Sequence, residues 1–325
     1  MEHGANGHHT GPGYASPQVA REQAPERYIY VAARYEGTGI PEPDFVAVID
    51  VDPASDHYGE IVGRVDQARD RGRGDRREAR PQRPAHGPLH ARRHRHDLDT
   101  GRHFWDLEER RQVQALDLGD DGWIPLELRW QHDPDSLQGF VGVTLSSTVK
   151  RFFKEDGSWD AETVIDVVNE PLEGWPLEGG VPGLITDIVL SMDDKDLFFS
   201  NWLHGDLRHY DVSDPRNPVL KSQVWLGGLL GKDEGHPKAG GGLSGGPQML
   251  QNSLDGERVY VSNSLYSTWD NQFYPELRGW LTKLDRRPDG SYALDEDFFI
   301  DFAEQTGGAR PHEIHLPGGD CTTEI

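Results

Sequence analysis

Cysteine, long apolar runs and a leader-like start are what this sequence lacks. Its single cysteine, Cys321, excludes an internal disulfide, which fits the reducing cytoplasm. No run approaches the roughly 18 consecutive apolar residues that a membrane-spanning helix needs. The first residues, MEHGANGHHTGPG, lack the basic-then-apolar order of a secretory signal. Together these absences predict a cytoplasmic protein without a membrane span.

Positive charge is also scarce. The chain has 33 Lys and Arg against 56 Asp and Glu, a formal net charge of −23, and this balance argues against a nucleic-acid partner. Apolar residues make up only 35% of the chain, while 38 Gly and 22 Pro supply many turns. Such a composition is typical of a protein built from short strands and tight turns.

The stretch from Pro182 to Gly228 gives the strongest indication of fold. It has four strand-length, partly alternating apolar runs separated by polar turns: Ile185–Leu190, Leu197–Trp202, Leu207–Val212 and Val219–Trp225. Asp-Pro and Asn-Pro pairs end the last turn. Four antiparallel strands joined by tight turns are typical of one blade of a β-propeller. The strand–turn phrase recurs at Ser253–Asp270, which favours one all-β domain over two separate ones. Alternation in LFFSNW predicts that only one of Phe198 and Phe199 faces inward.

Further strand-like runs divide the rest of the chain into four parts. Residues 1–25 are predicted to be a flexible arm, 26–65 a first blade, 66–101 an Arg-rich segment and 102–325 the remaining blades, with Asp295–Phe302 as the last strand. From Asp66 to His96 the chain holds ten Arg and four His but only one large aliphatic residue, Leu89. Because such a segment cannot bury apolar surface, we expect disorder. A basic run in an acidic protein could tether a nucleic acid or fold back on the acidic body. The interpretation we favour is that the segment is the product of a GC-rich gene translated out of frame.

Several long phrases resemble the selenium-binding protein family, which includes methanethiol oxidases. The phrases are TGPGYASP (10–17), DFVAVIDVDP (44–53), PLELRWQHDPDSLQGFVGVTLSSTVKRFFK (125–154), PGLITDIVLSMDD (182–194), SNWLHGD (200–206), the pairing of GGPQML (245–250) with WDNQFYP (269–275), and HEIHLPGGDCTTEI (312–325). The resemblance implies a seven-bladed propeller. It also implies copper-dependent oxidation of a small thiol, methanethiol, to formaldehyde, hydrogen sulfide and hydrogen peroxide. Bacterial relatives leave a periplasmic location open.

The chain also departs from the family's pattern. The adjacent histidines followed by Gly-Trp and a cysteine pair are absent, as are a His-x-x-His-Cys phrase and an FWW-like stretch. The Arg-rich segment stands where about two blades are expected. The chain therefore resembles an internally shortened member with an incomplete propeller. Because the selenium-linked cysteine is missing, the resemblance does not extend to that binding role.

Three histidines in the family phrases, His132, His204 and His312, are the predicted copper ligands. All three lie next to strands in loops, where a propeller gathers side chains about its axis, and imidazole suits copper. The alternative is that each imidazole caps a turn or bonds a backbone carbonyl.

Four other residues are candidates for supporting roles. Glu127, Asp133 and Glu313 are candidates for carboxylates that orient the imidazoles, with turn capping as the alternative. Cys321 is a possible soft ligand or redox thiol, although a lone cysteine near a C-terminus is more often inert.

Other classes of function stay open at the level of sequence. No G-x-S-x-G elbow supports a serine hydrolase. A calcium-dependent lactonase propeller needs an axial Glu/Asn/Asp set, for which Glu127, Asn201 and Asp187 are available. The stronger rival to a copper-dependent oxidase is a non-catalytic propeller that binds selenium or another ligand, or an inactive shortened family member.

Overall fold

A computed structural model of the chain describes residues 14–67, 101–106, 109–133, 135–233 and 235–319. The strands, in chain order, are β1 (Tyr28–Arg34), β2 (Phe45–Asp50), β3 (Ile61–Asp66), β4 (Gly101–Asp106), β5 (Arg111–Asp117), β6 (Pro125–Trp130), β7 (Gln138–Val143), β8 (Thr148–Glu155), β9 (Ser158–Asp166), β10 (Ile185–Leu190), β11 (Asp196–Asn201), β12 (Asp206–Asp211), β13 (Val219–Trp225), β14 (Leu250–Asn252), β15 (Arg258–Ser262), β16 (Trp280–Arg286), β17 (Tyr292–Asp301) and β18 (Arg310–His315). The helices are α1 (Pro17–Arg21), α2 (Ser267–Phe273) and α3 (Phe302–Thr306), with a 3-10 turn at Pro237–Ala239.

The strands form propeller blades, as the sequence predicted. Three sheets follow chain order, β6-β7-β8-β9, β10-β11-β12-β13 and β14-β15-β16-β17, and every neighbouring pair is antiparallel. The strands β6, β10, β14 and β18 are the first of their blades. β6 contacts β10, β10 contacts β14, and β14 contacts β18, with further contacts to the second strands of neighbouring blades. They are the inner strands of an all-β, propeller-like fold.

The first blade is completed by the far end of the chain. Its order is β18-β1-β2-β3, so β18 is its inner strand, and Tyr30 pairs with His315. The expectation that Asp295–Phe302 contains the last strand was wrong, because β18 follows it. The short run RPHEIH has little alternation of its own, and its ladder partner is near the start of the chain.

A two-stranded hairpin, β4-β5, packs on the outer strand of the β6–β9 blade. Phe104 stacks on Trp159 with ring centroids 4.1 Å apart, and Trp130 and Phe152 surround the pair. The described strands thus form four complete blades and this hairpin, fewer than the seven blades that the resemblance implies.

The first two strands of the β10–β13 blade, β10 and β11, are buried on both faces. All six residues of β11 are buried. Phe199 packs toward β6–β9 with Phe140 and Ile188, whereas Phe198 packs toward β14–β17 with Leu250 and Tyr292. The prediction that only one of the two phenylalanines faces inward was therefore wrong, because an apolar neighbour lies on each side of the blade.

The first blade has one buried and one open face. Ile29, Val31 and Ala47 are fully buried against β14–β17. On the opposite face Tyr30 is 39% and Val46 is 40% exposed, and Val46 pairs with Val65, which is 65% exposed. Valine and tyrosine at such positions are typical of a sheet face built to pack on another blade.

Two predictions of domain organisation fall largely outside the described residues. Of the Arg-rich segment 66–101, only Asp66, Gln67 and Gly101 are described. Of the predicted arm, residues 14–25 are described, and they contain α1, whose first turn is capped by the Ser16 hydroxyl. No helix in the described ranges is long and apolar enough to cross a membrane.

Candidate functional site

The inner strands give the molecule two ends, which we name by the direction of those strands. At the entry end the inner strands begin, and there the second and third strands of each blade are connected. At the exit end the inner strands finish and turn into the second strands. These ends decide which of the predicted site residues can meet.

His132 lies at the exit end, in the connection between β6 and β7. Its Nδ1 donates a hydrogen bond to Asp194 Oδ1 at 2.8 Å, and its backbone N donates to the same oxygen at 2.8 Å. Asp194 stands in the turn between β10 and β11 and also accepts from the backbone N of Asp133 at 3.0 Å. The carboxylate that orients the His132 imidazole is thus Asp194, which sequence reasoning did not identify.

His204 lies at the entry end, in the connection between β11 and β12, and is fully buried. Its Nε2 donates to the carbonyl oxygen of Val181 at 2.8 Å, which places the ring proton on Nε2. Its Nδ1 is buried without a hydrogen-bond partner, 4.0 Å from an oxygen of Asp206 that is also buried and unbonded. Burial lowers the pKa of the His204 imidazole, so the neutral form is favoured.

A close backbone crossing fixes the loop that carries His204. Gly205 has a φ of +89° and lies against Gly228, and a Cβ on Gly205 would stand 1.9 Å from the carbonyl oxygen of Gly227. Only glycine fits such an approach. Just before the loop, Trp202 packs edge-on against Tyr274 with centroids 4.9 Å apart, and the Tyr274 hydroxyl donates to the Trp202 carbonyl. The HGD phrase therefore directly follows a residue held in an apolar cluster.

His312 also lies at the entry end, near the start of β18. Its Nδ1 donates to the carbonyl oxygen of Ser264 at 2.7 Å, and its own carbonyl accepts from the Ser262 hydroxyl. Ser264 follows β15, in the connection to the third strand of that blade. His204 and His312 therefore share an end of the molecule.

The structure does not bring His132 together with His204. Asp194, which binds His132, precedes β11, whereas His204 follows the same strand. Six residues of extended chain separate the two points by about 20 Å. Within the described ranges, no three or more His, Cys, Asp or Glu side chains form a group that could hold one metal ion. The three-histidine copper site stays a prediction.

The proposed carboxylates have other partners. Glu127 Oε2 accepts from Arg129 at 3.0 Å on the same inner strand. The Asp133 carboxylate accepts from the backbone N of Asp135 at 2.9 Å, a turn-capping bond. Glu313 lies 3.9 Å from Nε2 of His315. None of these contacts orients a predicted copper ligand, and Cys321 lies outside the described residues.

A buried ion pair links three neighbouring inner strands. Arg129 on β6 donates to Asp187 Oδ1 on β10 at 3.3 Å, and Asp187 Oδ2 accepts from the backbone N of Leu250 on β14 at 2.7 Å. Burial raises the pKa of the Asp187 carboxyl, while the Arg129 charge opposes that change. Arg129 therefore bridges two of the three carboxylate and amide groups considered for a calcium site, Glu127 and Asp187. The third, Asn201, directly follows Ser200, the ladder partner of Asp187.

Comparison with known proteins agrees with this architecture. The sequence profile of the family described as 56kDa selenium binding protein (SBP56) matches residues 8–73 and 80–325. The solved structure of a hypothetical selenium-binding protein from Sulfolobus tokodaii is similar to this one, with a TM-score of 0.79 and 32% sequence identity. The match covers 94% of this chain and 97% of that one.

Curated relatives carry two kinds of name. A methanethiol oxidase from Xenopus tropicalis is 50% identical over 242 residues, covering 68% of this chain and 51% of the relative, and the human methanethiol oxidase is 48% identical over 244 residues, with 69% and 51% coverage. Selenium-binding protein 2 from Arabidopsis thaliana is 32% identical over 465 positions, covering 97% of this chain and 95% of the relative. The chain spans about half the length of the methanethiol oxidases it matches.

Proposed function

The chain belongs to the 56 kDa selenium-binding protein family, and on that premise we propose that it acts on a small thiol, methanethiol, as an oxidase. The observation that carries the proposal is the 50% identity over 242 residues to a relative named methanethiol oxidase. Identity at this level over most of the chain supports a common substrate class. The chain's half-length coverage of that relative makes the activity a proposal for this chain.

The proposed reaction uses dioxygen and water as co-reactants. Methanethiol, dioxygen and water give formaldehyde, hydrogen sulfide and hydrogen peroxide in equal amounts. The carbon–sulfur bond breaks, and the carbon loses two electrons and takes its oxygen from water. Dioxygen accepts the two electrons and two protons to become hydrogen peroxide, and the sulfur leaves as hydrogen sulfide. These products give three independent readouts.

Copper is the cofactor that the resemblance implies, and the described residues do not fit a three-histidine copper site. His132 lies at the exit end, whereas His204 and His312 lie at the entry end. A copper ion needs its imidazole ligands within about 2 Å of one point, and strands of six residues separate these two ends.

A second function, ligand binding without catalysis, is favoured by a separate observation. The described part of the chain contains no group of three or more metal-binding side chains. Its entry end still has the buried imidazole of His204, which lies close in sequence to an apolar cluster that includes Trp202, Tyr274 and Leu184. Binding of a small ligand uses apolar surface with a few polar groups and needs no redox centre.

Copper retention and product formation separate the two functions. The full-length chain is loaded with copper and dialysed, and we expect it to retain less than one copper per chain. The variant His204→Ala should retain still less, because it removes the buried imidazole whose Nδ1 has no partner. The matched control is His57→Ala, which removes an imidazole that is 65% exposed and paired with Glu60.

Methanethiol oxidation by the wild-type chain should be slow, because the three predicted copper ligands do not meet at one point, and any copper-dependent part of the activity should fall with the copper retained. Oxygen uptake, sulfide and hydrogen peroxide are measured together. If His204→Ala and His57→Ala retain copper and activity equally, His204 is not a ligand. If methanethiol binds to the wild-type chain without any product, the binding function replaces the oxidase.

A further inference from the structure

Arg310, the first residue of β18, is a buried arginine whose guanidinium group makes no hydrogen bond to the residues that the structure describes. Its residue exposure is 7%. Its closest carboxylate oxygen is Asp270 Oδ2, 3.8 Å from Nη1, which is beyond hydrogen-bond distance. Nη1 is buried without a partner. Nε and Nη2, the edge that binds two oxygens side by side, make no hydrogen bond to any described residue.

A second guanidinium lies beside the first. Arg34 on β1 pairs with Arg310 across the ladder, and its Nη2 donates to the carbonyl oxygen of Leu265 at 2.7 Å. The Nε of Arg34 is buried and has no acceptor. Two adjacent cations thus have unused donors at the entry end of the first blade.

One carboxylate serves both cations, and its oxygens are already used. Asp270 is fully buried, its Oδ2 accepts from the Ser264 hydroxyl at 2.8 Å, and its Oδ1 accepts from the backbone N of Leu265 at 3.0 Å. The cluster therefore has one positive charge in excess. Burial lowers the pKa of Arg310, and the neighbouring Arg34 charge acts in the same direction.

Arg129, another buried arginine, donates to the carboxylates of Glu127 and Asp187. The half-buried Arg258 donates through Nε to Glu26 at 2.7 Å and through Nη2 to Asp255 at 2.9 Å. An unpaired buried charge is costly, so an acceptor is expected wherever a guanidinium is buried. At Arg310 the described residues supply the cation and its neighbour but no acceptor within hydrogen-bond distance.

We propose that Arg310 and Arg34 form a binding site for a small anion that presents two oxygen atoms, either a free oxyanion or a carboxylate group. The planar guanidinium fork matches two such oxygens in a bidentate contact. The bound anion would accept from the open edge of Arg310 and balance the excess charge beside Asp270. The site does not depend on the proposed oxidase reaction.

Anion binding is measured on the full-length chain by calorimetric titration and thermal unfolding, with sulfate, acetate and chloride as probes at constant ionic strength. We expect sulfate or acetate to give a heat of binding and a rise in Tm that saturates below about 10 mM, while chloride gives neither. Saturation matters because sulfate also stabilises proteins generally, without saturating. Binding of sulfate alone indicates a free oxyanion, and binding of acetate indicates a carboxylate.

Three variants test the assignment. Arg310→Met should abolish saturable binding, and Arg310→Lys, which keeps the charge but loses the fork, should weaken it at least tenfold. Arg278→Met is the control, since Arg278 is exposed and already paired with Asp301, and it should bind like the wild type. If Arg310→Met does not fold, Arg310→Lys decides. The proposal is overturned if neither sulfate nor acetate binds saturably to the wild type, or if the Arg310 variants bind as it does.

Discussion

A neutral imidazole has one donor and one acceptor nitrogen, and His236 uses both. Its Nε2 donates to the carbonyl oxygen of Asp295 at 2.9 Å, and its Nδ1 accepts from the backbone N of Lys238 at 3.1 Å. The ring also stacks on Phe299 with centroids 4.7 Å apart. Protonation would place a second proton where the Lys238 bond is, and burial lowers the pKa of this histidine. His236 is thus a structural residue of the connection between β13 and β14.

This arrangement predicts a pH dependence of stability. Because the folded pKa lies below the unfolded value of about 6.5, the unfolded state binds the proton more readily. The contribution of His236 is fully present above pH 6.5 and is lost as the pH falls through the folded pKa. Urea unfolding at pH 7.5 and pH 5.5 should show a larger loss for the wild type than for His236→Gln. Equal losses in the two proteins would contradict this role.

The three predicted histidines show why the candidate site was only partly predictable from sequence. The phrases containing His132, His204 and His312 identified loops that hold imidazoles firmly. Sequence alone does not give the end of the blade at which a loop lies, because that depends on strand order. Asp194 was missed because an acid in a polar turn reads as a turn former. The pairing of Arg129 with Asp187 arises only when β6 and β10 become neighbours.

Among the elements, β11 gives the sharpest test of blade packing. Both Phe198 and Phe199 are buried, one toward each adjacent blade. We expect Phe198→Ala and Phe199→Ala each to cost about 3–5 kcal/mol of unfolding free energy, the usual penalty for a buried aromatic side chain. Denaturant unfolding measures both. A small cost at either position would mean that this blade has an open face.

Elements with strong local patterns were predicted well. The bounds of β10 and β13 agree with the apolar runs Ile185–Leu190 and Val219–Trp225, and β11 and β12 differ by one residue at each end. Elements whose pairing strands lie far away in the chain were not predicted well. The end of the strand–turn phrase Ser253–Asp270, residues 267–270, instead forms the start of α2, and β16 and β18 were not predicted. The local sequences of β16 and β18 do not identify them as strands, because their strand structure depends on the neighbouring strands of the sheet.

At the scale of the whole molecule, the open face of the first blade indicates where the row of blades is interrupted. An alignment of 465 positions with the Arabidopsis relative exceeds the 325 residues of this chain by 140, so at least that many positions are unmatched here. The first blade and the β4-β5 hairpin stand on either side of the Arg-rich segment in the chain. A shortened propeller accounts for both observations.

A matched pair of substitutions tests the open face. Val31 is fully buried toward β14–β17, whereas Val46 is 40% exposed on the other face. Threonine has nearly the shape of valine but adds a hydroxyl, so Val31→Thr should cost about 1–3 kcal/mol. Val46→Thr should cost less than about 0.5 kcal/mol. Comparable costs by urea unfolding would mean that something covers the Val46 face in solution.

The pairing of β18 with β1 has a consequence for synthesis of the protein. Tyr30 and His315 are ladder partners although 285 residues separate them in the chain. A nascent chain leaving the ribosome therefore carries β1 with an unpaired edge until almost all of the sequence has emerged. The blades β6–β9 and β10–β13 have no such delay, because their strands are consecutive. Cotranslational folding should thus begin in the middle of the chain, and the blade that is made first should be the last to form.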